Sequence, residues 1–233
     1  MIFSNPTEAM NYSDARENLL KNHVSVIAVE GNIGVGKTSL TRLLARQLGA
    51  RLVEERVEDN PFLDRFYEDM GSYRFQTQLV FLMNRYKQQL SLTQKELFDD
   101  LTIIDYLFAR DKIFAHVNLS DDELGLYNRI AKELEAQLIL PDLVIYLQAA
   151  SDVLFERIRN RGRALERTIS KNYLETLNDA FNHFFFNYSE TPLLVVNTDA
   201  MDFVNNERQF QDLLRRISEP VKGTELYVPT WEA

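Results

Sequence analysis

The chain has 233 residues, 45% hydrophobic and 26% charged, the balance of a soluble globular protein with room for one large α/β domain. Its 26 Lys and Arg are outnumbered by 35 Asp and Glu, a net charge of −9, which argues against sequence-tolerant nucleic-acid binding because phosphate neutralisation supplies most of that affinity. Cysteine is absent and histidine is confined to His23, His116 and His183, so a disulfide framework, a thiol nucleophile and a cysteine zinc site are excluded.

Residues 1–22 lack the basic start and apolar core of a signal peptide and read as an N-terminal arm or helical lead-in to a single domain over 23–233. No stretch approaches the run of about 18 apolar residues that a membrane span needs, so the expected compartment is the cytoplasm, with no membrane partner. Val24–Val29 is a β-branched run that predicts a buried strand. Leu40, Leu43, Leu44 and Leu48 recur at helical spacing before the stop at Gly49. A second strand is expected at Arg51–Glu55. Asn60-Pro61 predicts a helix start, and a long helix follows over about Tyr73–Lys95. Leu101–Ile104 is the third strand, with a helix after it to about Val117. Ser120-Asp-Asp-Glu123 matches a capping box. Leu143–Leu147 and Pro192–Val196 are the fourth and fifth strands. Ser151 is expected to cap a helix through about Arg161 and Ser170 another to about Tyr188, and Glu207–Ile217 is the last helix. Strands alternating with helices imply an α/β fold: a five-stranded parallel sheet with helices on both faces.

Gly31, Asn32, Ile33, Gly34, Val35, Gly36, Lys37 and Thr38 fit G-x-x-x-x-G-K-[ST], with Ser39 next. The motif sits where its mechanism needs it, between a buried strand and a helix start. Its glycines let backbone N–H groups turn around phosphates, Lys37 reaches the β- and γ-phosphates, and Thr38 offers a hydroxyl to Mg²⁺. A nucleoside triphosphate site is expected.

Phosphoryl transfer needs a carboxylate to take the acceptor's proton, another near the metal, and cations over the moving phosphoryl group. Glu54, Glu55 and Asp105 stand at strand ends, where ligands collect in a doubly wound sheet. Only one of Glu54 and Glu55 can face the site, because strand residues alternate sides. Arg157, Arg159, Arg161, Arg163 and Arg167 fall within 11 positions. On spacing alone they fit either a lid over phosphates, at about 159–168, or a solvated helix face.

Several of these stretches resemble the deoxynucleoside kinases. Val29–Thr38 is that family's form of the phosphate loop, and Glu55-Arg56-Val57 stands where the family has Glu-Pro-Val. Asn60-Pro-Phe-Leu, Phe66-Tyr67, Phe75-Gln-Thr-Gln78 and Asn84-Arg85 are similar to its substrate pocket, and Arg157, Arg161 and Arg163 to its Arg-x-x-x-Arg-Gly-Arg lid. The resemblance implies a P-loop kinase fold and transfer from ATP, with Mg²⁺, to the 5′-hydroxyl of a deoxynucleoside in nucleotide salvage, in a homodimer. It implies Glu55 as general base, Thr38 and Asp105 at the metal, and Lys37, Arg157, Arg161 and Arg163 on the phosphoryl group. Tyr67 and Glu166 would hold the sugar 3′-hydroxyl. Gln78, Arg85 and Asp111 would read the base, a set closer to members acting on deoxyadenosine, deoxyguanosine or deoxycytidine than to thymidine-specific ones. Asp202-Phe203 resembles the loop that receives the donor adenine.

After the third strand, where the family has Asp/Glu-Arg-Ser, this chain has Asp105-Tyr106-Leu107. Tyr106 brings no charge, so either a neighbour such as Arg110 takes over or the site is tuned differently. Two other readings stay open here: a monophosphate kinase of thymidylate-kinase type, needing an extra cation such as Arg74 or Arg85, and a nucleotide-binding module without turnover.

Overall fold

The computed structural model describes residues 11–55, 57–93, 100–135, 138–163, 166 and 168–229. The order is α1 Tyr12–Lys21, β1 Val26–Gly31, α2 Lys37–Leu48, β2 Arg51–Val53, a single turn of 3-10 helix at Val57–Asp59, α3 Leu63–Glu68, α4 Met70–Thr93, β3 Thr102–Ile104, α5 Arg110–Asn118, α6 Asp121–Glu135, β4 Leu143–Gln148, α7 Ser151–Arg161, α8 Lys171–Phe186, β5 Leu193–Asn197, α9 Glu207–Ser218 and β6 Thr224–Tyr227.

Among the described residues the sheet has six strands in the order β2-β3-β1-β4-β5-β6, every pair parallel. The expected five-stranded sheet is therefore one strand short. β6 escapes a periodicity search because it is a four-residue edge strand with Thr224 and Leu226 exposed, so it carries no buried run.

Alternation along β1 explains why helices cover both faces. Ile27 and Val29 enter a core with Leu40 and Leu44 of α2 and Leu213 and Ile217 of α9. Ala28 points the other way, into a core with Ile113 of α5 and Phe181 and Phe185 of α8. A further cluster joins Leu82 of α4 to Tyr127 and Ala131 of α6. Part of the expected N-terminal arm belongs to this body. α1 buries Ala15 and Leu19, and Arg16 donates 2.8 Å bonds to the carbonyls of Leu48 and Gly49 at the end of α2.

The expected capping residues divide into those that cap and those that do not. Ser170 caps α8 by accepting from the Tyr173 N–H, and Glu123 reaches back to the Ser120 N–H at 2.8 Å. Ser151 is the first residue of α7 rather than its cap, and the Ala150 N–H before it is taken by Asp199. Asn60 caps the turn ahead of α3 by accepting from the Phe62 N–H at 3.1 Å, and α3 itself starts at Leu63.

Candidate active site

The strand order reverses at β1, with β3 on one side and β4 on the other, and this is where α/β sheets bind ligands. The register puts Val53, Ile104 and Ala28 level with one another. The residues that follow, Glu54, Glu55 and Asp105, therefore emerge together beside the loop leaving β1. A cleft of about 860 Å³ opens here.

The phosphate loop forms its wall through Ile33, Gly34, Gly36, Lys37, Thr38 and Ser39. Gly36 has φ +106° at the start of α2, a conformation L side chains avoid, and the ring of Phe203 lies against it. Gly31, Asn32 and Val35 lie behind the wall. The Asn32 amide donates to the Leu174 carbonyl at 3.2 Å and to Asn178 at 3.4 Å, tying the loop to α8. Lys37 donates to the carbonyls of Gly31 and Asn32 at 2.9 and 3.1 Å. Burial, reinforced by the like charge of Arg110, pulls its ammonium down to about 8 despite Glu30 and Asp105.

Thr38 donates to Asp105 Oδ2 at 2.6 Å. Burial lifts the Asp105 carboxyl to about 6 against the pull of Lys37 and the Thr38 hydroxyl, and its Oδ1 is buried with no hydrogen-bond partner. An oxygen pair of this kind, one atom unsatisfied, suits Mg²⁺, which takes one or two protein oxygens beside those of phosphates.

Glu54 and Glu55 diverge as strand alternation demands. Glu54 pairs with Arg42 at the exposed rim of the cleft, whereas Glu55 turns inward to Arg85. Burial would raise the Glu55 carboxyl, but Arg85, Arg110 and Lys37 outweigh it and hold the group below the usual glutamate range. Arg85 also pairs with Asp111, so two of the three expected base-reading residues are joined. Its guanidinium carbon lies 5.5 Å from the ring centres of both Phe81 and Tyr106. Phe81 thus lines the cleft. Tyr106 is buried beneath Arg85, and its hydroxyl has no partner, so the hydrogen bond it could have donated is not made. Gln78, Arg85, Asp111, Tyr67 and Glu166 all line the cleft. Burial drives the Tyr67 phenol up.

The arginine cluster divides. Arg161 and Arg163 reach the cleft, and Arg161 grips Glu166 through both Nε, at 3.1 Å, and Nη2. Arg157 does not reach it. Its guanidinium is spent on the carbonyls of Thr198, at 2.6 Å, and Met201, at 3.3 Å, because it starts a full turn earlier on α7 and meets the loop after β5 first. Asp202 and Phe203, on that loop, likewise stand outside the cleft: Asp202 accepts from Asn205, and Phe203 is buried against Gly36. Arg56 and Arg167 lie outside the described residues.

Sequence reasoning missed Glu30. It is fully buried, accepts from the Gly31 N–H at 2.8 Å and pairs with Arg110 at 2.7 Å. The available signal was a charged residue ending an otherwise β-branched strand.

The deoxynucleoside kinase family profile matches residues 27–222. A deoxyguanosine kinase of Bacillus subtilis is 35% identical over 203 residues, spanning 85% of this chain and 98% of the relative. A deoxyadenosine kinase of Lactobacillus acidophilus is 31% identical over 211 residues, spanning 85% and 97%. The structure of deoxyadenosine kinase from M. mycoides with bound dATP superimposes with a TM-score of 0.73 at 28% identity, covering 83% of this chain and 100% of that one.

Proposed function

The chain belongs to the deoxynucleoside kinase family and is a phosphotransferase of nucleotide salvage, and we propose that it transfers the γ-phosphoryl group of ATP, with Mg²⁺, to the 5′-hydroxyl of deoxyadenosine, deoxyguanosine or deoxycytidine. The observation that carries this reading is the convergence of Lys37, Thr38, Asp105 and Glu55 with Gln78, Arg85 and Asp111 in one cleft.

In this reading Glu55, held ionised by its cationic neighbours, accepts the hydroxyl proton. Lys37, Arg161 and Arg163 stabilise charge on the transferring group. Thr38 and Asp105 would hold Mg²⁺, which would supply neutralisation of the phosphate charge. Gln78 with the Arg85–Asp111 pair offers donors and acceptors to a base edge. Tyr67 and Glu166 hold the 3′-hydroxyl once Glu166 is released from Arg161, so lid closure and sugar binding are coupled. Arg157 braces the phosphate loop against the loop carrying Asp202 and Phe203, which supports the donor base.

Residues 23–233 act as one domain with 159–168 as its lid, in a cytoplasmic homodimer whose ligands are small molecules rather than nucleic acid. No described helix is long and apolar enough to cross a membrane. The monophosphate-kinase alternative needs a spare cation for a second phosphate. Arg74 is paired with Glu123 at 2.8 Å and Arg85 with two carboxylates, so neither is spare. The test is kcat/KM for the four deoxynucleosides and their monophosphates under ATP and Mg²⁺. The purine or cytosine deoxynucleosides should lead; faster turnover of a monophosphate, or of thymidine, defeats the assignment.

A further inference from the structure

We propose that Arg110 is the positioning cation of the acceptor site, holding Glu55 and the incoming hydroxyl in register with the start of the phosphate loop. The inference rests on the kinase reading above. Arg110 opens α5 and is only 5% exposed. Its Nη1 is committed to Glu30 Oε2 at 2.7 Å and the Gly31 carbonyl at 3.1 Å. The rings of Phe114 and Phe181, 5.0 and 5.6 Å from the guanidinium carbon, flank the group. One end of the fork is therefore fixed to the residues that lead into the phosphate loop.

The other end is free to act. Nε lies 3.9 Å from Glu55 Oε2, beyond hydrogen-bond range, and Nη2 makes no hydrogen bond among the described residues. The side chain nonetheless lines the cleft. Neither atom is among the buried donors left without a partner, so both face the open cleft, where an incoming oxygen can take them up. The groups within reach are Glu55 and whatever oxygen is delivered beside it.

Arg110 also completes a run of alternating charge. Asp111 pairs with Arg85, Arg85 with Glu55, Glu55 faces Arg110, and Arg110 pairs with Glu30. The run spans the cleft from the base-reading end to the root of the phosphate loop, where Arg110 joins Glu55 to Glu30. Tyr106 cannot serve in its place: it is absent from the cleft wall and carries no charge.

The test replaces the buried pair with neutral groups of similar shape, Glu30→Gln together with Arg110→Gln, so that no charge is left stranded. In a protein that still unfolds at the wild-type temperature, ATP affinity and the nucleoside KM should stay within about threefold while kcat falls about 100-fold. Arg110→Lys should recover part of kcat by restoring charge without the fork. A folded double variant with kcat within twofold of wild type overturns the proposal. A structure of the wild-type protein with a deoxynucleoside and a non-hydrolysable ATP analogue decides independently of folding. Nε or Nη2 within about 3.5 Å of Glu55 or the 5′-oxygen supports the assignment; both atoms remaining farther away refute it. Should the wild type turn over no deoxynucleoside, the kinase reading fails, and the position of Arg110 in that structure still judges this inference separately.

Discussion

Glu55→Gln isolates the proton acceptor from everything else Glu55 does. The amide keeps the side chain's shape and can still accept a bond from Arg85, but it cannot take a proton. Arg85 retains Asp111, and Arg110 retains Glu30, so neither guanidinium is left without a carboxylate. The stability cost is then that of weakening a charge-assisted bond, about 1–3 kcal/mol, rather than the larger cost of stranding a buried cation. Removing a positioned base costs roughly 10²- to 10⁴-fold in rate, or about 3–5 kcal/mol of barrier. Lys37, Thr38 and the phosphate loop are untouched, so ATP affinity should change by less than about threefold, under 1 kcal/mol. Coupled ADP release at saturating nucleoside gives kcat, calorimetry gives the ATP affinity, and thermal unfolding reports the fold. A folded variant that binds ATP normally and keeps kcat within threefold of wild type would refute Glu55 as the base.

Three further outcomes follow from the geometry. Lys37→Met should abolish transfer yet raise the unfolding temperature of the ligand-free protein at neutral pH. Because the folded ammonium titrates at about 8 rather than 10.5, the buried charge costs stability fully below pH 8, and the variant's advantage fades as pH rises from 8 to 10.5; no gain in stability at pH 7 would contradict this. Arg161→Ala should lower kcat at least about tenfold while moving stability by under about 1 kcal/mol, since its pair with Glu166 is partly exposed. Equal losses of rate and stability would assign it a structural role instead. Arg16→Ala should do the reverse: removing its bonds to Leu48 and Gly49 should cost about 1–2 kcal/mol in denaturant unfolding and leave kcat unchanged.

The parts legible in the sequence are those written in local spacing. The phosphate loop, five strands and most helices follow from runs and caps within a dozen residues, and the sheet register then brought Glu55 and Asp105 beside Lys37 as strand-end carboxylates. Contacts between distant segments were less legible. Glu30 and Arg110 are 80 positions apart, and only the pairing of β1 with β3 makes them neighbours. The i, i+4 spacing of Arg157 and Arg161 suggested a shared task, but a loop after β5 captures the first before it can reach the cleft. The place of Phe81 beside Arg85 depends on where α5 packs, which spacing along α4 does not show. Tyr106 is the instructive residue: the sequence left open whether a neighbour such as Arg110 takes over or the site is tuned differently, and the fold stacks Tyr106 beneath Arg85 and leaves Arg110 facing the cleft.

The most direct test of the central claim is identification of the product formed from ATP, Mg²⁺ and deoxyadenosine, deoxyguanosine or deoxycytidine by phosphorus NMR with mass spectrometry. The account predicts one equivalent each of ADP and the deoxynucleoside 5′-monophosphate. ATP bound with every nucleoside recovered unchanged, or phosphate appearing at the 3′ position, would contradict it.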